Sequence, residues 1–159
     1  MEISPDDTVG WLYFEKLFPL GVEALAEAVE MIKKGTVPRI PQDESQATYE
    51  GLCTEKDAII DWSAPIDRVY NLVRGTDPQP GATTYFRGKK LKIFDARPIR
   101  DIAGGLPGQI VGRGADGFVV SLKRGGILVQ RVQVDKSPKV EAAEFAGQVR
   151  LTPDDRLGE

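Results

Sequence analysis

The sequence predicts an α+β chain in which helices come first and a small antiparallel sheet or barrel follows. Residues 4–34 carry apolar side chains at helical spacing, and residues 36–56 then lose all periodicity. Glycine is sparse before residue 75, with 4, and dense from Gly75 onward, with 13, between short runs of β-branched and aromatic residues. Many tight turns over half a chain mean many short strands.

Taken in order, residues 4–18 form a first helix, with Ser4 as N-cap, Pro5 at its first position, and Asp6 and Asp7 where the helix dipole favours negative charge. Trp11, Leu12, Tyr13, Phe14, Leu17 and Phe18 cover most of its circumference, which calls for burial on several sides. Pro19–Lys34 reads as a second helix, with Val22, Leu25, Ala26, Val29 and Ile32 along one stripe and Gly35 and Pro38 as its stop. A linker follows. Ile59–Trp62 reads as a short strand and Ser63 as the cap of a helix bearing Ile66, Val69, Tyr70 and Val73 on one face. Gly75 supplies a left-handed stop, and Pro78 and Pro80 forbid continuation. Strands are expected at 82–87, 90–98, 108–113, 117–122 and 126–134, with turns at Asp116-Gly117 and Gly125-Gly126. Ser137-Pro138 opens a last helix to about Val149, and the polar tail is expected to be partly loose. The resulting division is 1–36 helical, 37–58 linker, 59–150 barrel and 151–159 tail.

Composition narrows the chemistry. The 159 residues contain no histidine and one cysteine, Cys53. Ser-His-Asp and Cys-His nucleophile systems are excluded, as are zinc sites of Cys/His type, which need four such ligands. A lone cysteine fits a reducing compartment. No apolar run approaches the roughly 18–20 residues of a membrane span, and MEISPDD lacks a basic, apolar leader, so a cytoplasmic chain is expected. Residues 1–62 hold 5 Lys/Arg against 13 Asp/Glu, whereas 87–139 hold 12 against 4. A basic, β-rich segment beside an acidic one fits an anionic partner.

Four motifs bear on chemistry. Gly112-Arg-Gly114-Ala-Asp-Gly117 spells GxGxxG, but a dinucleotide site must open a helix and here FVVSL follows, so a hairpin turn is expected. Arg87, Lys89, Lys90, Lys92, Lys123, Arg124 and Arg131 are candidate contacts to an anionic partner, set against the reading of a solvated basic face. Asp6-Asp7 and Asp154-Asp155 are adjacent carboxylates and read as capping or solvated charge, because catalytic pairs straddle a substrate. Cys53 has no imidazole to activate it and reads as a spectator thiol. No catalytic, cofactor-binding or metal-ligating residue is assigned.

A resemblance sharpens the picture. The succession Ile59-Ile60-Asp61-Trp62, a helix ending Val73-Arg74-Gly75, Asp77-Pro-Gln-Pro-Gly-Ala-Thr-Thr84, a strand, and then Gly88-Lys-Lys-Leu-Lys-Ile93 is similar to the formyltransferase family. That family uses 10-formyltetrahydrofolate and includes methionyl-tRNA formyltransferase and the hydrolase portion of 10-formyltetrahydrofolate dehydrogenase. The upstream pieces PDDTVGWLYFEKLFPLGVEAL, PRIPQ and ATYEG resemble the dehydrogenase branch most. Gln79 stands where the family often has Trp.

The resemblance implies an OB-like barrel at 59–150, preceded by the last helices of a catalytic domain that lies upstream. It also implies that the family's catalytic Asn, His and Asp sit in that domain; none matches a position here. Three readings follow. The chain is the accessory half of a one-carbon enzyme, bracing the catalytic domain or positioning the formyl acceptor and without activity alone. It is a stand-alone tRNA- or RNA-binding module. Or helices 4–34 swap onto a partner chain.

Overall fold

The computed structural model describes residues 1–102 and 104–159, which divide into two compact units, Met1–Leu52 and Cys53–Glu159.

The first unit is one helical run rather than two helices. It comprises α1 (Val9–Trp11), a π-helical segment (Leu12–Leu17) and α2 (Phe18–Lys34), followed by a single 3-10 turn at Glu44–Gln46. Its cap is Thr8, whose Oγ1 accepts from the Trp11 N–H at 3.1 Å; Ser4 instead begins a turn closed by Asp7. Pro19 does not break the run. A proline ring collides with the carbonyl four residues back, and widening the preceding turn relieves that clash. Phe18 N–H accordingly donates to the Tyr13 carbonyl, five residues back. Gly35 closes α2 in the left-handed conformation, φ 68°.

The second unit is a six-stranded antiparallel sheet with two helices. Helix α3 is Ile66–Gly75, and the strands are β1 (Ala82–Phe86), β2 (Lys89–Ile99), β3 (Ile110–Gly114), β4 (Gly117–Ser121), β5 (Gly126–Val134) and β6 (Val140–Glu141); α4 is Ala142–Gln148. Strand order is β1-β2-β5-β4-β3, with β6 added to β5. Phe118, Val120, Ile127, Val129, Leu91, Ile93 and Val132 fill the interior, with α3 contributing Ile66, Val69 and Val73 and α4 contributing Phe145. Glycine is required at Gly117, which opens β4 at φ 132°: a Cβ there would lie 1.9 Å from the Val129 carbonyl oxygen.

Several local expectations are corrected. The 59–62 strand reduces to one parallel bridge, Ile59 to Thr83. Ser63 does not cap α3; its hydroxyl donates to Asp61 at 2.6 Å, and Pro65 occupies the cap position. Gly75 is not the left-handed stop, because Thr76 ends α3, its hydroxyl donating to the Leu72 carbonyl at 2.8 Å. The last helix begins at Ala142, five residues after Ser137, since Val140 and Glu141 are taken up by β6.

The tail is not loose. Leu151 and Leu157 are buried, and the segment around Leu157 joins the two outer strands. Ile110 N–H donates to the Asp155 carbonyl at 3.0 Å and Leu157 N–H to that of Gly108 at 2.8 Å, on the β3 side. Gly158 N–H then donates to Tyr85 of β1 at 2.8 Å. Residues 155–158 thus form a seam that closes the sheet on itself, satisfying backbone groups a sheet edge would leave unpaired. Trp62 lies beneath it, with its indole N–H donating to Thr84 Oγ1 at 3.0 Å and its ring against Gly108 and Gly158.

Candidate functional site

The seven basic residues expected to face an anionic partner separate into two groups. Arg87, at the β1–β2 turn, makes two hydrogen bonds from Nη2 to the Asp155 carboxylate at 2.7 and 2.9 Å and a third from Nε at 3.0 Å. Its Nη1 donates to the Val149 carbonyl, and its guanidinium stacks over Phe86. Arg87 is therefore the clasp of the seam. Burial would raise the Asp155 carboxyl, but the Thr152 N–H, the Arg87 guanidinium and the Thr152 hydroxyl outweigh it and hold Asp155 below the usual carboxylate range.

Lys90 and Lys92 converge on Glu55, at 2.8 and 3.1 Å, and hold that carboxylate below its ordinary range chiefly through their hydrogen bonds. Lys92 also donates to the Pro80 carbonyl. Arg131 bridges Asp95 at 3.0 Å and Glu141 at 3.5 Å. In each case an acidic side chain on another element already neutralises much of the charge.

Lys89, Lys123 and Arg124 are exposed and belong to no ion pair among the described residues. Lys123 and Arg124 sit on the β4–β5 turn, where a cavity of about 570 Å³ also takes in Ser63, Pro65 and Ile66 at the start of α3. The structure adds Arg100, which sequence reading left out; it lines the same cavity and is bound at 2.7 Å to Asp67. That pair is exposed on both sides, and exposed ion pairs contribute little and are easily exchanged. Three cations at the mouth of a helix N-terminus form a surface suited to an anionic group. Lys89 lines a different, smaller cavity of about 280 Å³ with Phe86, Leu91 and Phe145.

A further charged group surrounds Asp77. Burial raises its carboxyl above the usual range, opposed by Lys139, whose ammonium lies 3.6 Å from it and 3.5 Å from the centre of the Phe94 ring. Among the described residues no group of three or more His, Cys, Asp or Glu could hold a metal ion, and no helix is long and apolar enough to cross a membrane.

The first unit offers a different kind of surface. None of its helical residues is buried. Trp11, Phe14 and Phe18 are 44%, 62% and 57% exposed. Lys16 lies over the Trp11 ring, and Tyr13 and Phe14 meet edge to face at 5.0 Å.

Residues 53–150 match the family model described as formyl transferase, C-terminal domain. The chain is 38% identical over 146 residues to the methionyl-tRNA formyltransferase of Acetivibrio thermocellus, covering 91% of this chain and 47% of that protein. It is 35% identical over 159 residues to that of Geobacter sulfurreducens, covering 99% and 49%. The chain thus spans about half the length of these relatives, which carry the tRNA-enzyme name rather than that of the dehydrogenase branch most like the upstream motifs. Among solved structures, HypX from Aquifex aeolicus in complex with tetrahydrofolic acid superimposes with a TM-score of 0.76 at 22% identity, covering 93% of this chain and 26% of that one. A variant of the same protein gives 0.77 at 21%, which establishes a shared fold.

Proposed function

The chain belongs to the formyl transferase C-terminal domain family, and we propose that it is the C-terminal part of a formyltransferase that uses 10-formyltetrahydrofolate in one-carbon metabolism in the cytoplasm. The observation that carries this reading is the 35% identity running over 99% of the chain against 49% of a relative. In this reading formyl transfer is performed by a catalytic domain upstream, and the present residues brace that domain and position the acceptor. The unburied helical run at 9–34 supports it: aromatic side chains on all sides of one helix need a partner, and the missing catalytic half is that partner.

The test is a formyl-transfer assay with pure chain, alone and with an added N-terminal half from the Acetivibrio thermocellus relative. Turnover of 10-formyltetrahydrofolate is expected only in the mixture. Turnover by the isolated chain would overturn the reading.

A second reading, a stand-alone tRNA- or RNA-binding module, is favoured by the uncompensated Lys123 and Arg124 beside Arg100. Binding of this kind weakens steeply with salt, and the double change Lys123→Glu, Arg124→Glu would flatten that slope by about two ionic contacts. A salt-independent gel shift with tRNA counts against it.

A further inference from the structure

The glycines of the GxGxxG stretch are only partly explained by their turn. Gly117 is fixed by packing, but a Cβ on Gly114 would meet nothing within 4 Å, and one on Gly112 only the Val119 side chain at ordinary contact distance. The backbone of both lines a groove of about 750 Å³ between β3 and α4. Gly112, Arg113 and Gly114 form one wall, Ala143 and Gly147 the other, and Arg150 stands at one end.

β3 is the terminal strand of the sheet. The tail covers only its beginning: Ile110 N–H is taken by Asp155, and the chain then crosses towards β1. Past the bulge at Val111, Gly114 pairs with Gly117 across a two-residue turn, and Gly112 pairs with Val119. Pairs in an antiparallel ladder alternate between bonding to each other and facing away. Gly114 and Gly112 therefore bond towards β4, and the N–H and C=O of Arg113 point out of the sheet into the groove. Neither neighbour of Arg113 carries a side chain, so only backbone flanks its outward groups along this edge. The lining holds two arginines and no carboxylate, although Arg113 Nη1 also donates to the Leu151 carbonyl at 2.9 Å.

We propose that this groove takes an extended acidic peptide segment of a partner protein, added as a strand on the Arg113 edge of β3 and continuing the pairing that the tail begins. Main-chain bonds to Arg113 supply the attachment, and Arg113 and Arg150 select for negative charge. Small residues on the α4 wall set the width.

The test uses the full chain, isotopically labelled, titrated with a capped heptapeptide of alternating glutamate and valine. Amide shifts at 111–114 and 143–151 are expected, with slowed hydrogen exchange at Arg113. The same peptide methylated on alternate backbone nitrogens loses binding, since it keeps the charge and loses the edge donors. Gly147→Leu fills the groove and weakens binding at least tenfold, by the free-energy scale in which about 1.4 kcal/mol is a factor of ten. Its thermal midpoint stays at or above that of the parent, because a Cβ there meets nothing. Arg150→Glu weakens binding with the fold unchanged. Full binding by the methylated peptide, equal binding of a lysine–valine peptide, shifts that map elsewhere, or no shifts at all would overturn the proposal. So would displacement of the peptide from the same amides by oligouridylate, which would assign the groove to a nucleic-acid backbone.

Discussion

The first 52 residues and the remaining 107 solve the same problem in opposite ways. In Cys53–Glu159, strands from distant parts of the chain enclose Phe118, Val120, Ile127 and Val129, and the tail closes the seam. In Met1–Leu52 a single helical run carries Trp11, Tyr13, Phe14, Leu17 and Phe18 with none of them buried. Both stretches are rich in large apolar side chains. What separates them is whether each unit supplies a second surface of its own, because an apolar helix contributes stability only where something covers it.

The sharpest test of that contrast pairs two truncations. Phe118→Ala removes a fully buried ring and is expected to cost about 3–5 kcal/mol in chemical denaturation of the second unit, whereas Phe14→Ala is expected to leave that transition where it was. A comparable loss from Phe14→Ala would mean that this helical run is part of the same cooperative core. Next in size is Leu157→Ala, expected to cost about 2–5 kcal/mol although it lies outside the matched family segment. A loss near zero would show that the tail decorates the sheet rather than closing it.

The clasp gives a smaller effect. Asp155→Ala leaves Arg87 half-exposed with water to replace its partner, so about 1–3 kcal/mol is expected. It also carries a pH signature. The folded carboxyl lies below its unfolded value, so its stabilisation is full above the ordinary carboxylate range and is lost as pH falls through the folded value. Acid denaturation curves should therefore differ between parent and Asp155→Asn, the variant being flatter at the acidic end. Asp77 has the opposite sign: raised by burial, it favours the fold while protonated and loses that contribution as pH rises through its folded value. The smallest effect is Gly147→Ala, a gain of roughly 0.5–1 kcal/mol from helix propensity alone.

The strands and turns were legible because glycine placement and alternation are local signals, and β4 and β5 fall within a residue of their expected limits. The tail was not. Seven of its nine residues are polar or small, and only the packing of Leu151 and Leu157 against distant strands reveals its place. The roles of Ser63 and Gly75 differ from expectation for a related reason: Asp61 and Thr76 compete for the same hydrogen bonds within a few residues, and sequence does not say which side chain wins. For the candidate site, Lys123 and Arg124 were legible as charges on a hairpin tip. The neutralisation of Lys90 and Arg87 was not, since their partners lie 35 and 68 residues away in sequence.

The indole tucked under the closing segment turns one of the chain's two tryptophans into a reporter. Trp62 is shielded while Trp11 stands in water, so the fluorescence of the intact chain should hold two populations: one reached freely by a collisional quencher, one protected until the ends of the sheet part. Opening of the cylinder can then be timed optically, without attaching a dye.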